Sequence, residues 1–195
     1  MKKIILATTS PYRQELFRSI GIDFEAMDSE IEEKFEGRPD SPEELVQELA
    51  RQKAQVVAEK VNEGIVVGFD SVGWFDGKIL EKPKSKKDAE KRLKNLSGKS
   101  FQFYTGIFLV DAENGRTMKS VVKTDVNMRD IDEKEIEKYL SQDDKFSTYA
   151  LGFDPLGHYS ATFVKNISGS YNNLTRGIPI ECVVEMLKKM GIEIK

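Results

Sequence analysis

Three cations and a small set of carboxylates are the residues of this chain whose types and places could do chemistry. Arg13 falls just after Ser10-Pro11, Lys53 lies in a helical stretch, and Lys82 immediately precedes Pro83. Asp70 closes a short apolar run, Glu33 sits in an acidic loop, and Glu30 and Glu81 are further carboxylates that could join them. Positioned cations offset the charge that builds on phosphoryl oxygens, and a carboxylate can orient or deprotonate an attacking water. The combination therefore suits phosphate chemistry. The single Cys182 and single His158 exclude a thiolate cage and a multi-histidine site. A metal would need oxygen ligands, which points to a divalent cation, Mg2+ or Mn2+ with Co2+ as a further candidate, held by one or two carboxylates and by substrate phosphates.

Each of these residues also has an ordinary reading. Arg13 in the first turn of a helix opposes the helix dipole by ~0.3–1 kcal/mol, while the same turn offers free backbone N–H groups to an anion. A bound phosphate reconciles the two facts; so does an Arg13 that points into solvent or pairs with Glu15. Lys53 by itself reads as a solvated helix lysine, and spacing does not prove that the charged residues converge.

The elements that must position them follow from pattern. Ile4 to Ala7 reads as a buried strand running into a helix with Ser10 as N-cap and Pro11 at the first helical position. That helix turns Leu16, Phe17 and Ile20 inward and stops at Gly21, and Ile22 to Met27 alternates like a strand. The acidic loop Ser29 to Lys34 follows. Ser41-Pro42-Glu43-Glu44 opens a long helix through about Val61, with Leu45, Leu49, Val56 and Val57 inward. Gly64 to Ser71 is a short buried strand ending in Asp70 and Ser71, and strand ends are where α/β proteins place chemistry. Val72 to Leu80 is a hairpin turned by Asp76-Gly77, and Ser85 caps a helix ending at Gly98. Phe101 to Val110 and Thr117 to Met128 are strands joined by Asn114-Gly115, and Asp132 starts a helix through Leu140. Ser141 to Ser160 is a long connection without a period. Ala161 to Ile167 is strand-like, Ser168 to Asn173 turn-rich, and Ile178 to Met190 helical. This alternation predicts an α/β fold, a mixed sheet covered by helices.

Composition narrows the function classes. A 195-residue chain with 39% hydrophobic content can bury a full core as one domain, or one with a small lobe. Its 30 basic and 33 acidic residues leave a net charge of −3, which supplies no global field for nucleic acid or an anionic membrane. No apolar segment approaches a membrane span or a signal-peptide core, so a cytoplasmic protein is expected.

The motifs, taken in order, resemble the Maf family of septum-formation inhibitor proteins, which are nucleoside triphosphate pyrophosphatases. Leu6-Ala7-Thr8-Thr9-Ser10-Pro11-Tyr12-Arg13-Gln14-Glu15-Leu16-Phe17 is similar to the family's opening L-A-S-x-S-P-R-R-x-E-L-L. Lys53-Ala54, Phe69-Asp70-Ser71, Glu81-Lys82-Pro83 and Leu96-Ser97-Gly98-Lys99 resemble its K-A, A-D-T, G-K-P and L-S-G-K. Ile167-Ser168-Gly169-Ser170-Tyr171 and Gly177-Ile178-Pro179 resemble its closing I-x-G-x-Y and G-L-P. The resemblance spans nearly the whole chain and implies a single Maf-like domain over 1–195. Its fold would be a mixed twisted sheet flanked by helices, two lobes around a deep cleft, like that of the inosine triphosphate pyrophosphatases. It implies hydrolysis of a nucleoside triphosphate to monophosphate and pyrophosphate, with Asp70 as general base and Glu33 helping to hold the metal. Ser10, Arg13, Lys53 and Lys82 would handle phosphate. A homodimer and a link to septum formation rest on the resemblance alone.

The departures fall where the family selects its base. Tyr12 stands in place of the first Arg of the pair and Ser71 in place of Thr. The family's D-K-A-G-x-Y-G-I-Q-G segment falls on Tyr149 to His158, where its Asp, Lys and Gln are absent and Gly157 occupies the Gln position. Glu81 replaces a Gly and either ligates metal or pairs with Lys82. Trp74, Phe75 and Cys182 read as packing residues, and His158 as an ordinary hydrogen-bonding residue. Two other functions compete with the pyrophosphatase. One is a nucleotide-binding regulatory protein of the same fold that has lost turnover; the other is a haloacid-dehalogenase-like phosphomonoesterase. The latter is weakened by Val72 standing where its second Asp belongs.

Overall fold

Four apolar residues in succession make β1 (Ile4–Ala7), buried on both faces as a strand inside a covered parallel sheet must be. The structure, a computed structural model, describes residues 2–33 and 35–193; Lys34 of the acidic loop lies outside the described residues. β1 leads into α1 (Pro11–Ser19), with Pro11 in the first turn as expected. The Ser10 side chain makes no capping bond, contrary to its expected role; its backbone N–H donates to Thr8 Oγ1 at 3.2 Å. Phe17 is fully buried, but Ile20 lies past the last turn and is 41% exposed rather than inward. β2 is only Glu25–Met27.

The remaining elements are α2 (Pro42–Ala58), β3 (Ile65–Phe75), β4 (Lys78–Leu80), α3 (Lys86–Leu96), β5 (Ser100–Asp111) and β6 (Thr117–Met128). They are followed by α4 (Glu133–Gln142), β7 (Val164–Ser168), α5 (Tyr171–Arg176) and α6 (Ile180–Lys189). Helix starts match their sequence signals: Ser41 accepts from the Glu44 N–H, Ser85 from the Asp88 N–H, and Asp132 with Glu135 forms a reciprocal capping box. α5 departs from expectation, because the stretch read as turn-rich winds into a helix with the Ser170 hydroxyl accepting from the Asn173 N–H at 3.0 Å. The seven strands form one sheet in the order β2-β1-β3-β5-β6-β7, with β4 paired to β3. β1 runs parallel to β2 and β3, while β3–β4 and β6–β7 are antiparallel, so the sheet is mixed.

The chain divides into two compact units. The first comprises residues 1–71, 105–122 and 176–195. Along its strands, Leu6, Val67, Phe69 and Ile107 pack with Phe17 of α1 and Val183 and Leu187 of α6. The alternate residues Ile5, Val66 and Phe108 pack with Ala50, Ala54 and Val57 of α2. Because strand side chains alternate between faces, α2 covers one face and α1 with α6 the other. The second unit comprises residues 72–104 and 123–175. Its core gathers Leu93, Phe101, Phe103, Phe153 and Phe163 with Tyr139, whose ring meets Phe163 edge-on at 5.7 Å.

α2 lies unusually close to the strands beneath it. A β-carbon on Gly68 would sit 2.1 Å from the Ala50 carbonyl oxygen, and one on Gly106 would sit 2.1 Å from that of Val46. Two glycines on neighbouring strands thus let helix backbone rest directly on sheet backbone, and Gln47 Nε2 adds a hydrogen bond to the Ile107 carbonyl at 3.3 Å.

Candidate active site

Asp70 and Ser71 lie in the middle of β3, which runs on to Phe75 instead of ending at Ser71 as expected, and two separate polar groups assemble around them in the first unit. In the first, Lys53 of α2 places its ammonium between two carboxylates, 2.7 Å from Asp70 Oδ1 and 2.8 Å from Glu33 Oε1. The Lys53 and Asp70 side chains are 13% and 10% exposed and Glu33 is 52% exposed, so a buried ion pair is extended by an outer carboxylate. Burial is the largest influence on Asp70 and lifts its proton affinity above the ordinary carboxylate range. The charge and hydrogen bond of Lys53 oppose that rise, nearby Glu33 adds to it, and the charge of Arg13 counters it. Oδ2 of Asp70 makes no hydrogen bond to any described residue.

The second group is built around Arg13. Its Nε donates to the Gly177 carbonyl at 3.0 Å, Nη1 to the Phe69 carbonyl at 3.3 Å, and Nη2 to Ser71 Oγ at 2.9 Å. The guanidinium lies over the Phe69 ring, 5.6 Å from its centre. Ser71 Oγ also meets Thr105 Oγ1 at 2.7 Å and the Gly177 carbonyl at 3.2 Å. Gly177 adopts φ +64°, a conformation costly for other residues, and it is this turn that presents the carbonyl to both side chains. Burial lowers the Arg13 pKa while Asp70 and Glu33 support its charge, and a guanidinium so placed stays protonated.

The structure thus joins Lys53 to Asp70 and Glu33, and Arg13 to Ser71. Ser10 is half-buried at the start of α1 and its hydroxyl has no partner among the described residues, while Tyr12 is half-buried on the same helix. Lys82 and Gly157 belong to the second unit. There Lys82 is exposed, next to a buried Pro83. Its backbone is tethered by Arg92, whose Nη2 donates to the Glu81 carbonyl, and Pro83 Cγ would lie 2.8 Å from a β-carbon at Gly152. A β-carbon at Gly157 would come within 2.6 Å of Asp154 Oδ2. That carboxylate also accepts the Leu156 N–H at 2.9 Å, so the divergent segment is shaped by its own bonds. His158 is exposed, at φ +57°.

Reading the sequence missed Thr105 and the role of Gly177. The available signal was a threonine inside the apolar run of β5, where it is fully buried. Among the described residues no group of three or more His, Cys, Asp or Glu side chains is placed to hold a metal ion. The donors that fit one are Asp70 and Glu33, which already clasp a single cationic group between them. Two carboxylates suit magnesium or manganese that takes its other ligands from phosphate and water. Nor is any helix of the described residues long and apolar enough to cross a membrane.

A mixed sheet flanked by helices is the architecture shared with a solved structure titled as the Staphylococcus aureus Ham1 protein. That likeness has a TM-score of 0.56 over 97% of this chain and 100% of that one at 19% identity, and it shows the fold. The model for the family described as Maf-like protein matches residues 3–190, and the chain belongs to this family. Among its relatives, a protein of Bacillus cereus named dTTP/UTP pyrophosphatase is 38% identical over 100% of this chain and 98% of its own length. One of Dictyoglomus thermophilum with the same name is 35% identical over 97% of each.

Proposed function

We propose that the protein is a nucleoside triphosphate pyrophosphatase that cleaves its substrate to the monophosphate and pyrophosphate. The observation that carries this reading is the buried Asp70 held by Lys53 through one oxygen while its other oxygen faces no protein partner. A carboxylate so arranged, with its proton affinity raised by burial, can accept a proton at Oδ2 from a water attacking the α-phosphorus. The new P–O bond forms as the bond from the α-phosphorus to the bridging oxygen breaks, and pyrophosphate carries away the bonding pair. Lys53 orients the base, and Arg13 contributes a fixed positive charge near it. By resemblance, Ser10 and Lys82 are the remaining phosphate contacts. Asp70 and Glu33 would hold a divalent cation, which when bound supplies charge stabilisation to the phosphoryl oxygens. Tyr12, Ser71 and the segment containing Gly157 are the places where base preference would be set, and the relatives' names make dTTP and UTP the first substrates to try.

The test is to supply the common nucleoside triphosphates with magnesium, manganese or cobalt and to measure pyrophosphate and orthophosphate separately. Pyrophosphate release is expected, lost on chelation and reduced at least about a thousandfold by Asp70→Asn. Lys82→Ala should raise KM. Tight nucleotide binding without pyrophosphate release would favour the regulatory protein, and orthophosphate alone the phosphomonoesterase.

A further inference from the structure

We infer that Arg92 of α3 is a positioning residue for Lys82, acting through the residues on either side of that lysine. The inference rests on the reading of Lys82 as a phosphate contact of a pyrophosphatase. Lys82 stands between an exposed Glu81 and a buried Pro83, and Arg92 Nη2 donates to the Glu81 carbonyl. The stem of Arg92 makes a second contribution. Its Cδ lies 3.5 Å from where a β-carbon on Gly152 would stand, and Pro83 Cγ lies 2.8 Å from the same point, so stem and proline ring both close on a glycine at φ +81°. Only a residue without a side chain lets them come so near. The residue before Lys82 is therefore held by the guanidinium of Arg92, and the residue after it rests against the glycine that the stem of Arg92 also abuts.

Stability does not account for an arginine at this place. Arg92 Nη1 is buried and makes no hydrogen bond to any described residue, whereas nearly all buried donors are paired because an unmade bond is costly. Burial also works against the charge, more strongly than the carboxylates of Glu81 and Asp88 support it. An apolar side chain of similar length would fill the same space at less cost. What it would lack is the donor to the Glu81 carbonyl. Because Glu81 is exposed, water can satisfy that carbonyl in place of Arg92, but water does not fix where the chain runs. The guanidinium thus adds little to the fold and much to the place from which the Lys82 side chain starts.

The experiment measures kcat and KM for dTTP and UTP, with thermal melts, in Arg92→Met, Arg92→Lys, Lys82→Ala and the double variant Arg92→Met/Lys82→Ala. Arg92→Met keeps most of the stem and removes the donor. It is expected to raise KM roughly threefold to tenfold with kcat changed by less than about twofold, and to melt at the wild-type temperature or above it. Arg92→Lys, which keeps the charge and a donor, should recover part of the loss. Arg92→Met should cost little further once Lys82 is Ala, because both act through one contact. A wild-type KM in Arg92→Met would overturn the inference, as would an undiminished Arg92 effect in the Lys82→Ala background or a lowered melting temperature with KM unmoved. Failure of the underlying reading looks different: the unaltered protein releases no pyrophosphate, or Lys82→Ala leaves KM where it was.

Discussion

Lys53 is the residue on which the candidate site turns, because it compensates a carboxylate that is nearly out of reach of solvent. Removing one member of a buried pair strands the charge of the other, at a cost of about 3 kcal/mol or more, whereas removing both leaves nothing to strand. Lys53→Met should therefore lower the melting temperature sharply, and Lys53→Met with Asp70→Asn should recover much of that loss while remaining inactive. A double variant as unstable as the single one would mean that Lys53 stabilises by packing. The residues of this pair were legible in the sequence as Lys53-Ala54 and Phe69-Asp70-Ser71, but their meeting was not. Sequence spacing says which side of α2 Lys53 occupies, but it ended β3 at Ser71 where the strand continues to Phe75, and nothing in it gives the angle at which α2 crosses the sheet. Thr105 was illegible for a further reason: a hydroxyl in an apolar strand declares itself only when its single partner is seen.

At the scale of elements, the helices with capping signals followed them, whereas strand bounds shifted: β2 is shorter than Ile22 to Met27, β3 runs past Ser71 to Phe75, and β7 begins at Val164 and not at Ala161. α5 was hidden because its Asn173 and Ser170 are turn formers by preference. Here Asn173 is buried, bonded to the Phe103 carbonyl at 3.3 Å and to Thr124 Oγ1 at 3.0 Å, and Ser170 serves as a cap. Ile20 was assigned inward by periodicity, but the helix ends before it. The glycines separate two kinds of cost. Gly21 has φ +71° and open space around its missing side chain, so Gly21→Ala should cost about 1–2 kcal/mol of backbone strain and leave turnover intact. Gly68→Ala must drive α2 off the sheet. It should cost at least about 3 kcal/mol, measured by urea unfolding, and abolish activity even in the folded fraction. Asp132→Ala, which removes the capping box of α4, should fall between neutral and the Gly68 case at about 1 kcal/mol.

For the molecule as a whole, acid is the informative perturbation, since each unit carries a glutamate held well below its ordinary pKa. In the first unit Glu48 is drawn down to about 2, chiefly by hydrogen bonds from Arg51. In the second Glu135 is drawn down to about 2 by Arg129, with the Asp132 N–H helping. Between about 4.5 and 2 the folded chain binds fewer protons than the unfolded one, so stability falls as pH falls through that window and is complete above it. Glu48→Gln and Glu135→Gln should each flatten the acid limb of a stability–pH curve, read by chemical denaturation at a series of pH values. An unchanged limb in both would assign acid sensitivity to other carboxylates.

The direct seating of α2 on the sheet also has a kinetic meaning. Side chains between helix and strand can repack and let a helix slide, whereas backbone resting on backbone at Gly68 and Gly106 leaves no such slack. The root of Lys53 is thereby stationary, and its ammonium can leave Asp70 only by turning about its own side-chain bonds. Those rotations need none of the movement of packed elements, which takes microseconds to milliseconds. If Lys53 hands its charge from Asp70 to an arriving phosphate, as the proposed function would allow, the transfer asks for side-chain rotation alone and no movement of α2 across the sheet.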